Sequence, residues 1–192
     1  YGFHLTFNNN VLLLVKYGKN KRREKKMKKK AKKTERVKWE RPALLIVDVQ
    51  NDFCPGGSLA VPRGDEVVAP LNRMINRALK KGWLITASRD WHPKVTGHFK
   101  DYGGIWPAHC VMFEKGAEFH FSLALPPTTV IISKGSEPQE DAYSAFDGVV
   151  DFLHPGLAAS MPLEDLLQAY EIKKIYIGGL ATDYCVKATV LD

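Results

Sequence analysis

The chain has 192 residues, 45% of them hydrophobic, and a formal net charge of +7. That length suits one α/β domain with a real core, and no apolar run reaches the roughly 18 residues that cross a bilayer, so no membrane partner is expected. The charge is local: residues 16–41 hold 15 Lys and Arg against 3 Glu, which leaves 13 basic and 18 acidic residues elsewhere. The folded part is therefore mildly acidic, and no nucleic-acid partner is expected for it. Cys54, Cys110 and Cys185 lack the spacing of a disulfide framework, which points to a reducing, cytoplasmic compartment.

Residues 1–15 carry a short apolar run at 11–15, and the basic residues follow it, whereas a secretory signal puts them first. The chain does not open with Met, and Met27 is a candidate start. Residues 1–41 read as a basic, low-complexity arm, solvated and disordered. The arm would attract anions by counterion release, but that alone is no sign of nucleic-acid function.

A second unit, 42–192, begins near Pro42. Residues 43–49, ALLIVDV, form a continuous apolar strand with Asp48 near its carboxyl end. Residues 66–81 repeat apolar side chains with helical period and stop at Gly82. Strands follow at 83–88, ahead of Arg89-Asp90, and at 129–133, ahead of Lys134. A helix over 162–170 starts on Pro162. Residues 174–177 form the fourth strand, and Gly178-Gly179 lets the chain bend into a helix capped by Thr182 or Asp183. Cys185 falls in its first turn, where the helix dipole and a nearby amine favour the thiolate.

Strands alternating with helices imply parallel pairing in three layers, a mostly parallel sheet with helices on both faces. Ligands then bind beyond the carboxyl ends of the strands. Asp48, Asp90, Lys134 and Cys185 each lie at or just past such an end. A thiol, an acid and an amine on one rim suit covalent catalysis. Cys185 would attack a carbonyl, Asp48 would carry the proton, and Lys134 would hold both in place. Taken singly, Asp48 reads equally well as a turn cap and Lys134 as a surface residue.

Asp90 and His92 are two apart, and His98 and His109 follow, so three His fall within residues 92–109. A carboxylate with imidazoles suits one divalent ion, Zn²⁺, Fe²⁺ or Mn²⁺. His4, His120 and His154 lie outside this cluster and read as structural or surface residues. Cys54 reads as packing in its turn, and Cys110 as pointing away from its neighbour His109.

The stretches IVDVQNDFCPGGSLAV (46–61), RDWHP (89–93), GHF (97–99), WPAHCV (106–111), KG (134–135), DAYSAFDG (141–148) and GGLATDYCVKATVLD (178–192) together resemble the nicotinamidases of the isochorismatase-like cysteine hydrolase superfamily. The resemblance implies that Asp48, Lys134 and Cys185 are catalytic and that Asp90, His92 and His109 ligate metal. His98 matches a His that ligates directly or through water. Phe53, Trp106 and Tyr143 match residues around a pyridine ring. A cis peptide at Leu180–Ala181 would aim the amides of Ala181 and Cys185 at an oxyanion. The implied reaction is hydrolysis of nicotinamide to nicotinate and ammonia through a thioester, in NAD salvage, with pyrazinamide as a second substrate.

Two rivals stand beside this reading: an amidase for ureido or carbamoyl substrates, and a non-catalytic binding protein. A homo-oligomer is left open. Relatives of this kind continue past the position matching Asp192, so the hydrolase domain reads as incomplete at its C-terminal end. A long unpaired sheet edge where the last strands would lie, and an aggregated or partly unfolded product, are expected.

Overall fold

The structure is a computed structural model that describes Leu13–Val15 and residues 41–151 and 160–192. Met27, His4, His154 and the basic run 16–40 lie outside the described residues. The strands are β1 (Leu13–Val15), β2 (Pro42–Val47), β3 (Leu84–Asp90), β4 (Val130–Lys134), β5 (Val149–Val150) and β6 (Lys174–Gly179). The helices are α1 (Val68–Lys81), α2 (Leu163–Ala169) and α3 (Lys187–Leu191). Among the described residues the sheet order is β1-β6-β2-β3-β4-β5. The four central strands pair in parallel, and the short strands at both edges run antiparallel to their neighbours.

The period-two alternation of β2 builds the layers. Ala43, Leu45 and Val47 pack into a cluster with Leu163, Leu166 and Leu167 of α2. Leu44 and Ile46 face the other way, into a cluster with Val68, Leu71, Ile75 and Ala78 of α1. A strand buried on both faces needs apolar residues at every position, which is why 43–47 lacks the polar alternation of a half-exposed strand. The helix α1 stops at Gly82, whose left-handed φ of 63° closes the last turn. Leu13–Val15 pairs antiparallel with Ile175–Ile177, so that length of β6 is covered.

Two strands run further than the apolar pattern indicates. β3 extends through Asp90 and β4 through Lys134, and these two residues are ladder partners on adjacent strands. Aligned partners present side chains on the same face of a sheet, so register alone brings the carboxylate and the amine together. Gly179 closes the other side of the rim. Its φ is 152°, and a Cβ there would stand 1.9 Å from the carbonyl oxygen of Val47, so β2 and β6 can approach this closely only at glycine.

Candidate active site

Asp48 follows β2 directly and adopts a left-handed φ of 49°, a conformation that Asp tolerates better than most residues. Its backbone amide donates to the Ser88 carbonyl (3.2 Å), and the Ser88 hydroxyl donates to Oδ1 (2.6 Å). Its Oδ2 lies 2.9 Å from Lys134 Nζ. Lys134 is buried, and its ammonium is surrounded by acceptors. It donates to Asp90 Oδ1, to the Ala142 carbonyl (3.0 Å) and to Cys185 Sγ (3.6 Å). The carboxylates of Asp48 and Asp90 and the thiol of Cys185 offer atoms that all lie within 4.8 Å of one another. Four strand ends thus deliver one thiol, one ammonium and two carboxylates to a single point.

Burial works against the charge on Lys134, but Asp48, Asp90 and Cys185 outweigh it and hold the amine well above its usual range. Burial likewise favours neutral Asp90, yet Lys134 and His92 overcome it and keep the carboxyl well below the ordinary range. Asp48 goes the other way. Burial raises its pKa, Asp90 adds to the rise, and Lys134 and Ser88 only partly oppose it. Cys185 is raised well above 9.0 by burial, with the two carboxylates adding to the effect against Lys134. The expectation of a readily ionised thiol is not met: burial raises the thiol pKa, and the Asp48 carboxyl beside it is raised as well.

The turn carrying Cys185 also differs from expectation. Neither Thr182 nor Asp183 caps it. Ala181 is the N-cap residue, without a side-chain cap bond, and residues Thr182–Val186 form a π-helical turn. The Ala181 carbonyl accepts from both Tyr184 N (3.2 Å) and Val186 N (3.1 Å). Such wide turns concentrate at functional sites. The peptide Leu180–Ala181 is cis.

The three histidines form the second half of the site. Offered nitrogens of His92, His98 and His109 all lie within 4.8 Å of one another, and all three residues are buried. Each ring spends Nδ1 on an acceptor: the Gly135 carbonyl for His92 (3.0 Å), the Pro107 carbonyl for His109 (2.8 Å) and the Asp141 carboxylate for His98. Carbonyl and carboxylate oxygens only accept, so Nδ1 carries a proton, and in the neutral tautomer Nε2 is the nitrogen left to act as a ligand. His92 Nε2 is buried with no hydrogen-bond partner. Asp90 Oδ2 stands 3.7 Å from His92 Nε2 and 3.8 Å from His109 Nε2. Burial lowers the His109 pKa to about 4, so its ring is neutral at neutral pH. Converging imidazoles, a neighbouring carboxylate, an orphaned buried ring nitrogen and anchored Nδ1 atoms fit a divalent metal ion. Gly135 makes room for one of these rings: a Cβ there would come within 2.5 Å of His92.

Asp90 joins the halves, with Oδ1 on the ammonium and Oδ2 towards the imidazoles. Both halves open on a cavity of about 250 Å³ lined by Phe53, Asp90, His98, Trp106, His109, Tyr143, Ala181 and Cys185, among others. Trp106 Nε1 donates to Tyr143 Oη (2.9 Å), which fixes the two rings as one wall. Every site residue expected from the sequence is at or beside this cavity. Cys54 packs in an apolar cluster with Phe53 and Leu180. Cys110 is fully buried outside the histidine group. His120 is partly exposed and accepts from Ser122 N through Nδ1.

Four contributors escaped the sequence reading. Gln50 is fully buried, accepts from Asp90 N (2.8 Å), and donates to the carbonyls of Asp90 (2.8 Å) and Ala117 (2.9 Å). An amide two residues beyond the acid in an apolar run was the available signal. Asp52 accepts from Ser58 N (3.0 Å) and Cys110 N (2.7 Å) and so ties two loops of the cavity wall. Tyr184 lies 5.2 Å from Trp106 between ring centroids and lines the mouth. Asp141 holds His98, and nothing local in the sequence marked it for that.

This fold and rim define an α/β protein of mostly parallel sheet that gathers a thiol, an ammonium and two carboxylates at its strand ends. Residues 42–192 match the isochorismatase domain model, and the chain belongs to the isochorismatase family. It is 41% identical over 165 residues to a nicotinamidase of Escherichia coli, spanning 78% of this chain and 75% of that one. It is 37% identical over 153 residues to a nicotinamidase/pyrazinamidase of Mycobacterium tuberculosis, spanning 78% and 77%. Among solved structures it is similar to the pyrazinamidase of Pyrococcus horikoshii in complex with zinc, with a TM-score of 0.70, 45% identity and coverage of 79% and 77%.

Proposed function

We propose that the chain is a nicotinamidase, an amide hydrolase that converts nicotinamide to nicotinate and ammonia and serves NAD salvage, with pyrazinamide as a second substrate. The observation that carries the reading is Asp90, which links the Asp48–Lys134–Cys185 set to the imidazoles across one cavity. Kinship to nicotinamidases at this identity supports it.

In the proposed reaction Cys185 Sγ attacks the amide carbon as its proton passes to Asp48. The raised proton affinity of Asp48 favours that transfer, and the Lys134 ammonium stabilises the sulfur as it gains charge. Amides of Ala181 and Cys185 would receive the oxyanion, where one donor is commonly worth about 3 kcal/mol. Asp48 then gives its proton to the leaving nitrogen, and ammonia departs from a thioester on Cys185. Water, deprotonated by Asp48, adds to the thioester and releases nicotinate and the thiol. Phe53, Trp106 and Tyr143 would flank the ring. His92, His98, His109 and Asp90 would hold one divalent ion, Zn²⁺, Fe²⁺ or Mn²⁺. When bound, that ion supplies a Lewis-acid position for the pyridine nitrogen.

Ammonia release from nicotinamide, pyrazinamide, benzamide and an N-carbamoyl amino acid tests the reading. A site built around one polar atom rejects an analogue lacking it, so benzamide is expected to react about a hundredfold slower than nicotinamide, roughly 3 kcal/mol. Preference for the carbamoyl compound would overturn the substrate assignment. Equal rates on benzamide and nicotinamide would remove the ring nitrogen from recognition.

A further inference from the structure

The three imidazoles are not anchored alike. His92 and His109 donate from Nδ1 to backbone carbonyls, whereas His98 meets a carboxylate, that of Asp141. A ring that donates to a carboxylate is held more firmly than one that donates to a carbonyl, and its remaining nitrogen is the more basic ligand. Of the three Nδ1 partners, Asp141 is the one made by a side chain, and so the one a substitution can change.

The side chain of Asp141 is 73% exposed, while that of His98 is 5% exposed. A carboxylate this exposed is screened by solvent, so its contact adds little to stability, which is little reason to place it here for the fold. The local backbone nevertheless brings it to the ring. The Pro138 carbonyl accepts from Gly97 N (2.9 Å) and from the Thr96 hydroxyl (3.0 Å), and that hydroxyl accepts from His98 N (3.2 Å). These bonds tie the loop before Asp141 to the loop carrying His98. On the other side of Asp141, the Ala142 carbonyl accepts from Lys134 Nζ. Asp141 is thus fixed between two anchored points with its carboxylate on the outer edge of the imidazole.

We infer that Asp141 is a positioning residue, which orients His98 through Nδ1 and strengthens its Nε2 as a donor to a divalent cation. The inference rests on reading His92, His98 and His109 as metal ligands. It assigns to an exposed carboxylate outside the cavity lining a share of the affinity of the site.

The test measures Zn²⁺ affinity directly, by competition with a chromophoric chelator, for the full chain after metal removal. Asp141→Ala is expected to bind Zn²⁺ about 10–100-fold more weakly than the unaltered chain. Asp141→Asn, which keeps an acceptor but loses the charge, is expected to fall between them. Glu140→Ala, which removes a nearby half-buried charge that touches no ring, is expected to bind as the unaltered chain does. In a His98→Ala background, Asp141→Ala is expected to have no further effect, because its route to the metal is gone. Circular dichroism melts of each variant exclude unfolding as the cause. Equal affinity for Asp141→Ala and the unaltered chain would overturn the inference alone. So would a full loss that persists in the His98→Ala background, which would show a general field rather than positioning. An unaltered chain that binds no Zn²⁺ would overturn the ligand reading and this inference together.

Discussion

Lys134 and His92 sit on opposite sides of Asp90, and their surroundings differ in kind. Around Lys134 the groups come from strand ends or the residues just past them, and they are mainly charged: an ammonium between two carboxylates with a thiol at 3.6 Å. Around His92 the groups are mostly borne by loops and are mainly imidazoles, each ring turned by an acceptor on its far nitrogen. The first half is set by sheet register, which places Asp90 opposite Lys134. The second half is set by turns that carry His98 and His109 back over the rim. Acid–base chemistry needs fixed charges in a dry place, and strands of a buried sheet provide it. Metal ligation needs lone pairs converging from several directions, which loops supply more readily than one strand can.

The largest effect expected is on the charged half alone. Cys185→Ala removes the nucleophile, and turnover of nicotinamide should fall at least about 10⁴-fold. Because the thiol is not among the imidazole donors, Zn²⁺ content and the circular dichroism melt should stay as they were. Loss of metal together with activity would mean that the two halves are not separable in the way the geometry indicates.

Lys134→Ala comes next. It leaves Asp48 and Asp90 buried without their shared counterion, and stranding a buried charge commonly costs about 3–5 kcal/mol. Urea titration should show a loss of that order. A loss below about 1 kcal/mol would show that the ammonium does not hold the two carboxylates in place.

A pH profile of kcat/KM separates the halves without mutation. Burial raises the Asp48 pKa above its ordinary 3.8. Protonated Asp48 cannot take the thiol proton, so activity should fall as pH drops through that raised value. The acid limb therefore lies above the ordinary carboxylate range, and removing a group that lowers the Asp48 pKa moves it further up.

Ser88→Ala gives the smallest expected change and sharpens the same point. It deletes one hydrogen bond to Asp48 Oδ1, which should cost about 1 kcal/mol of stability. The Ser88 hydroxyl also lowers the Asp48 pKa, so the acid limb should shift to higher pH. An unshifted limb would assign it to another group.

Most of the frame was legible in the chain because it rests on local patterns. The apolar run at 43–47, the helical period ending at Gly82 and the acid or amine just past each strand are properties of neighbouring residues. Motif resemblance then added the roles of those residues. The cover that Leu13–Val15 gives β6 was not legible, since strand pairing across this distance leaves no mark on a short apolar run.

What the sequence determined by itself was the order of strands and helices, the candidate chemistry at the strand ends and the cluster of three His with an Asp. Tertiary structure alone decided the rest. Register made Asp90 and Lys134 partners and so gave one carboxylate two duties. Burial, with the carboxylates nearby, raised the Cys185 pKa although the amine favours its anion, because desolvation depends on everything packed around a group and not on its neighbours in the chain. Gln50 and Asp141 became part of the site only when folding brought them to Asp90 and His98, residues 40 and 43 positions away.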